Sequence, residues 1–152
     1  MLLGTVVMFA IDRKFTRAKY FLFVGLIDFT SRLAVNSLKT LFGRERPLNF
    51  LEAKHAGHSF WGVGGTSFPS GHVGRYFGIF LPLMVIFPKS RLILLVIPLY
   101  ISAGRIILNL HYASDVLASV YIVIVLTFIF AHLLKIGGQA EHPVAADSGP
   151  TT

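Results

Sequence analysis

The chain has 152 residues, which suits one domain. Hydrophobic residues make up 54% and charged residues 14%, with a mean hydropathy of +0.69, which argues against a disordered chain, a coiled coil or an ordinary soluble domain. The net charge is +7 and the pI about 10.1, but the basic residues lie between long apolar runs, so anionic lipid or a phosphorylated substrate fits better than nucleic acid. There is no cysteine, which removes disulfides, a cysteine nucleophile and thiolate metal sites.

Met1 to Ile11 is an apolar run of 11 residues. It is too short to span a bilayer, and it lacks the basic start and small-residue cleavage site of a signal peptide. It reads either as a re-entrant or interfacial piece or, the favoured reading, as the tail of a helix whose beginning lies outside this chain. A basic turn at Arg13–Lys19 follows, then a first span from Ala18 to Leu41. Asp28 and Arg32 fall near its mid-depth, four apart, and predict an intrahelical ion pair facing the bundle. The segment Gly43–Pro69 is glycine-rich and reads as a long loop. Phe50, Phe60, Trp61 and Phe68 in it suit a membrane–water interface.

A second span runs from His72 to Phe87 and carries Pro82; a third runs from Leu92 to Leu110 and carries Pro98. A fourth runs from Asp115 to Leu134, with His132 expected to be packed or hydrogen-bonded. The tail from Gly137 to Thr152 is small and polar and reads as disordered. The expected fold is therefore an all-α polytopic membrane bundle, about four full transmembrane helices plus a partial N-terminal one. Residues 1–136 form the membrane-embedded domain and 137–152 the tail.

Following the chain through four spans puts seven Lys and Arg residues on one side and six on the other. Setting aside Lys39, Arg46 and Arg105 as site residues leaves seven against three, so the first side reads as cytoplasmic. The segment 43–70 and the turn at 111–114 then face outward.

Three groups carry chemistry: Lys39 with Arg46-Pro47, Pro69-Ser70-Gly71-His72, and Arg105 with His111 and Asp115. The topology brings all three to the outward face. Lys39, Arg46 and Arg105 supply cations for a phosphoryl group as charge builds on its oxygens. Ser70 is a good N-cap residue, and the N–H groups of Gly71 and His72 suit an anion at a helix start. If the fourth helix starts near His111, Asp115 falls on its face and holds one imidazole nitrogen protonated, freeing the other for attack. His72 suits protonation of a leaving alkoxide.

The pattern Lys39-x6-Arg46-Pro47, Pro69-Ser70-Gly71-His72 and Arg105-x5-His111-x3-Asp115 resembles the three-part signature of the type 2 phosphatidic acid phosphatase superfamily. The likeness covers about Leu38 to Ala118. It departs at Gly104, where the family usually has Ser. The resemblance implies His111 as nucleophile, Asp115 as its orienting partner and His72 as general acid. It implies Lys39, Arg46, Ser70, Gly71 and Arg105 as phosphate ligands, and no metal or other cofactor. Its implied substrates are lipid phosphates: lipid A, undecaprenyl diphosphate, phosphatidylglycerophosphate or phosphatidate. With the orientation read from the Lys and Arg count, the site lies on the periplasmic side of the cytoplasmic membrane.

Other readings stand beside this one. Lys39, Arg44 and Arg46 taken alone also read as interfacial snorkelling residues. Ser70, His72 and Asp115 form a nominal hydrolase triad, but no Gly-x-Ser-x-Gly elbow is present. His55, His58, His72, His111 and Asp115 give a weak metal signal, which neighbouring cations oppose. A catalytically idle lipid-phosphate-binding or transport-like protein keeping the same pocket is the alternative in another class. Arg75, one turn after His72, is placed to touch substrate or head groups but is not counted among the site residues.

Overall fold

The computed structural model describes residues 2–52 and 61–136, with side chains for 17–51 and 61–136. The regular structure of the described residues is all helical: α1 (Leu2–Phe42), α2 (Pro47–Glu52), α3 (Gly71–Ile86), α4 (Arg91–Ile107) and α5 (Ala113–Leu133). A short 3₁₀ turn at Pro88–Ser90 joins α3 to α4. The all-α expectation holds. The tail 137–152, Phe60, His55 and His58 lie outside the described residues.

Two expectations about the helices need correction. Residues 2–11 and the first span are one unbroken helix, and no turn separates them at Arg13–Lys19. The reason is local: no glycine or proline interrupts Thr5–Val24, and a basic cluster does not break a helix. The second correction concerns α3. Arg17–Leu51, Pro88–Ile107 and Ala113–Leu133 are long and apolar enough to cross a membrane. At 16 residues α3 is not, since it rises only about 24 Å against a hydrocarbon core of roughly 30 Å. Pro69 bounds it at one end and Pro88 at the other.

The exterior is apolar. Phe21, Leu92, Tyr100 and Phe128 are each between 76% and 82% exposed. Such a surface is unsuited to water and suits lipid. The interior is small. Phe23 and Ile27 of α1, Val73 and Phe77 of α3, and Val116 and Val123 of α5 form its buried cluster.

Helices α1 and α3 pack antiparallel and close. A Cβ on Gly78 would lie 2.8 Å from Ser31 Oγ, one on Gly74 3.1 Å from Val35 Cγ2, and one on Gly71 3.4 Å from Lys39 Nζ. Gly74-x3-Gly78 thus lets the two backbones approach where lipid gives no hydrophobic push between helices. The same seam carries Lys39 to the start of α3. Asp28 and Arg32 do form the expected intrahelical ion pair, with Arg32 Nε 3.1 Å from Asp28 Oδ1. Arg32 is half exposed rather than turned into the bundle. His132 is exposed, not packed.

The expected long loop is ordered where it is described. Pro47 starts α2, where its missing N–H is no loss. Gly62 N–H donates to Phe42 O at 3.0 Å, Gly65 N–H to Gly43 O at 3.0 Å and Ser67 N–H to Arg44 O at 2.9 Å. Gly43, Gly62 and Gly64 take positive φ, which other residues rarely adopt. Phe42, Trp61 and Phe68 pack ring on ring, with centroids 5.0–5.7 Å apart. Trp61 and Phe68 therefore close the base of the loop with Phe42.

Candidate active site

The loop base delivers Arg44 and Ser67 to the N-terminus of α5. Helix α5 begins at Ala113, so His111 precedes it and Asp115 occupies its first turn. The expectation that both lie on one helical face is thereby corrected: His111 sits on the turn from α4. That turn is fixed by His111 N–H donating to Arg105 O at 3.2 Å.

Asp115 is fully buried and accepts from several sides. Arg44 Nη1 donates to Oδ1 at 2.5 Å. Ser67 Oγ donates to Oδ2 at 2.5 Å and the Tyr112 N–H at 2.9 Å. Arg44 also reaches Ser114 Oγ at 2.8 Å. Its guanidinium carbon lies 4.0 Å from the Tyr112 ring centroid and 4.9 Å from that of Trp61. Burial pushes the Tyr112 phenol above its usual range while Arg44 pulls against it, so the ring facing the guanidinium is neutral.

His111 is 4% exposed. Its Nδ1 lies 2.8 Å from the carbonyl oxygen of Ser67 and 3.5 Å from Asp115 Oδ2. A carbonyl only accepts, so Nδ1 carries the proton and neutral His111 keeps its lone pair on Nε2. The nearer acceptor is thus Ser67, with Asp115 behind it.

Ser70 is fully buried at the N-cap of α3. Its side chain makes no cap hydrogen bond, and Oγ has no partner among the described residues, contrary to the capping expectation. Its backbone is held instead: Ser119 Oγ donates to Ser70 O at 2.9 Å, and Ser70 N–H to Asp115 O at 3.2 Å. Lys39 and Arg105 are half-buried and His72 is exposed. His72 lies within electrostatic reach of Arg105, His111, Lys39 and Arg46. Arg46 Nη2 is 3.4 Å from Thr66 Oγ1, and its buried Nε has no partner among the described residues. The three sequence groups therefore come together at one cationic end of the bundle, beside the start of α3.

Arg44 and Ser67 are the residues that sequence reasoning missed. Arg44 follows span one beside Arg46 and looked like an interfacial cation. Ser67 acts on His111 through a carbonyl, which every residue has. Among the described residues no three His, Asp or Glu side chains gather to hold a metal ion.

The profile of the PAP2 superfamily matches residues 4–136. The chain belongs to that superfamily. It is similar to a protein named lipid A 1-phosphatase from Rhizobium johnstonii (strain DSM 114642 / LMG 32736 / 3841), 35% identical over 97 residues, covering 58% of this chain and 37% of that one. It is also similar to a lipid A 1-phosphatase from Rhizobium etli (strain ATCC 51251 / DSM 11541 / JCM 21823 / NBRC 15573 / CFN 42), 32% identical over 119 residues, covering 70% of this chain and 48% of that one. The chain thus spans less than half the length of these relatives. No solved structure matches it. Against the PAP2 signature the departure at Gly104 is sterically mild, because a Cβ there would meet nothing within 4 Å.

Proposed function

We propose that this PAP2 chain hydrolyses a phosphoryl group from a lipid at the outer edge of the cytoplasmic membrane, on the periplasmic side. The observation that carries the proposal is His111, buried with its Nδ1 bound to Ser67 O, at the end of the bundle where His72 lies within electrostatic reach of Lys39, Arg46 and Arg105 and the Ser70 hydroxyl has no partner among the described residues. Two relatives are named lipid A 1-phosphatase, so a lipid of that kind is the first substrate to try. Undecaprenyl diphosphate, phosphatidylglycerophosphate and phosphatidate present the same phosphoryl chemistry.

In the proposed reaction Nε2 of His111 attacks phosphorus. The bond from phosphorus to the lipid oxygen breaks, and His72 protonates that oxygen as it leaves. Water then attacks the phosphohistidine, His72 takes its proton, and the bond to Nε2 breaks to release phosphate. Lys39, Arg46 and Arg105, with Ser70 Oγ and the N–H groups of Gly71 and His72, stabilise the charge on the equatorial oxygens. The Ser67 carbonyl keeps the imidazole in its attacking tautomer, and Asp115 behind it, clamped by Arg44 and Ser67, stabilises the ring when it becomes cationic.

Phosphate release by the purified chain in detergent, tested over these four lipids, decides the matter. Turnover of at least one, and much lower kcat/KM on its water-soluble head-group analogue, is the expected result. Binding without turnover would replace the enzyme reading with an idle lipid-phosphate binder. Equal kcat/KM on the soluble analogue would make it a general phosphatase.

A further inference from the structure

Beside the proposed phosphate site a crevice of about 140 Å³ opens along the seam of α1 and α3. Its upper end is Gly71, shared with the phosphate site, and its floor is Ser31 and Gly74. Its outer wall is Arg32, Asn36 and Arg75. Asn36 lies three residues before Lys39 on α1, and Arg75 four residues after Gly71 on α3. At a rise of 1.5 Å per residue they lie about 4.5 Å and about 6 Å below the phosphate-binding end of the bundle.

The donors in this wall are unevenly used. Arg32 is paired with Asp28. Arg75 is exposed and has no ion pair or hydrogen bond among the described residues, and the Asn36 amide has none either. A guanidinium on the outer face of a membrane-embedded helix is costly unless something with acceptor oxygens meets it. Arg75 has no acceptor of its own, and Arg32 already spends its fork on Asp28. The missing partner must therefore bring oxygens with lone pairs. It must also sit one helical turn below a phosphoryl group held at Gly71.

We infer that this crevice holds the acyl-linkage carbonyl oxygens, ester or amide, of a lipid whose phosphoryl group is at His111; the inference rests on the phosphatase reading. In an acylated lipid those carbonyls lie several bonds below the phosphate, at the level of Arg75 and Asn36. The chains below them continue into the bilayer past the exposed side of the seam. A polyprenyl phosphate has no such oxygens and leaves both donors unmet. The crevice thus favours acylated over polyprenyl lipid phosphates.

The test compares kcat/KM for phosphatidate and for its dialkyl ether analogue of equal chain length, in micelles of an ether-linked non-ionic detergent that supplies no carbonyl. The wild-type chain should favour the ester by roughly tenfold, the scale of one hydrogen bond to a charged donor, mainly through KM. In Arg75→Ala the ratio of ester to ether should fall towards one, and Arg75→Lys should restore part of it. Asn36→Leu is a second, independent variant with the same expectation. Equal wild-type rates on ester and ether would overturn the inference. So would a ratio that survives both Arg75→Ala and Asn36→Leu, or an equal loss on both lipids, which marks Arg75 as an interfacial cation only. Failure of the wild-type chain to hydrolyse any lipid phosphate would be a different result, and would remove the phosphatase reading itself.

Discussion

Arg44 Nη1 lies 2.5 Å from Asp115 Oδ1, joining the end of the first span to the first turn of the last across 71 residues. Both side chains are buried, at 8% and 0% exposure. The guanidinium is also stacked on Tyr112 and Trp61. This pair closes the site: Asp115 meets Ser67, and Ser67 meets His111. Arg44 touches none of the groups proposed to react. It is a positioning residue.

Removing Arg44 leaves a buried carboxylate with its main cation gone. Arg44→Gln should destabilise the fold by about 3–5 kcal/mol, the usual scale for breaking a buried pair from one side. Adding Asp115→Asn removes the uncompensated charge and should recover part of the thermal midpoint in detergent. Turnover should stay low in the double variant, because the imidazole of His111 has lost its anionic support. Arg44→Lys keeps the charge but not the fork or the stacking, and should fall between. A double variant no more stable than Arg44→Gln would show that the unpaired Asp115 charge is not what destabilises the single variant.

Gly65 sets where Arg44 leaves the backbone. A Cβ there would lie 2.2 Å from Arg44 O and 2.7 Å from Glu45 Cα, both backbone atoms that cannot rotate away. Gly65→Ala should therefore lower stability by about 1–3 kcal/mol, as overpacking does, and lower kcat with it as Arg44 and Ser67 shift. Gly104→Ser meets open space and should change stability by no more than about 0.5 kcal/mol. Parallel melts of the two variants check this contrast.

The two histidines should separate by leaving group. His111→Ala should abolish turnover on every substrate, since no other group carries the phosphoryl. His72→Ala should cost about 10²–10⁴-fold on a lipid alkoxide, the usual range for general acid catalysis. It should cost less on an aryl phosphate, whose oxygen leaves without a proton. With such a substrate His72→Ala should accumulate acid-labile phosphohistidine, because water is no longer activated. Wild-type rates in His111→Ala would end the phosphohistidine route.

The spans were legible because their apolar length is a one-dimensional property of the chain. The site was legible where it depends on residue type: Lys39, Arg46, Ser70, His72, Arg105, His111 and Asp115 share one end of the bundle once the spans are drawn. What spacing did not reveal is which cation turns inward. Arg44 and Arg46 are two apart after the same helix, and only the backbone bonds of Gly43, Gly65 and Ser67 send Arg44 to Asp115. The His111–Asp115 spacing suggested a shared helical face, but α5 starts two residues later than that requires. The contact survives through Ser67, whose carbonyl leaves no sequence signal. Continuity of α1 across Arg13–Lys19 was missed because charge was read as a boundary.

The orientation of the bundle makes the last prediction. Lys19 Nζ lies 3.4 Å from Lys135 O, so the basic flank of α1 and the end of α5 share one end of the molecule. The α3–α4 turn, with Lys89 and Arg91, lies at the C-terminal end of the antiparallel α3 and so belongs to the same end. The opposite end carries Lys39, Arg44, Arg46 and Arg105, but these serve the site or its support rather than topology. Basic residues free of such roles favour the cytoplasm, so the α3–α4 turn should be inside and residues 61–70 outside. Because α3 rises only about 24 Å, its N-terminus, and the phosphate pocket with it, should lie slightly below the outer boundary. The chain has no cysteine, so single cysteines report cleanly. Val63→Cys, 43% exposed at that outer end, should react with an impermeant maleimide in spheroplasts. Ser90→Cys should react only after permeabilisation. The reverse pattern would turn the site to the cytoplasm and require its lipid phosphate to come from the inner leaflet.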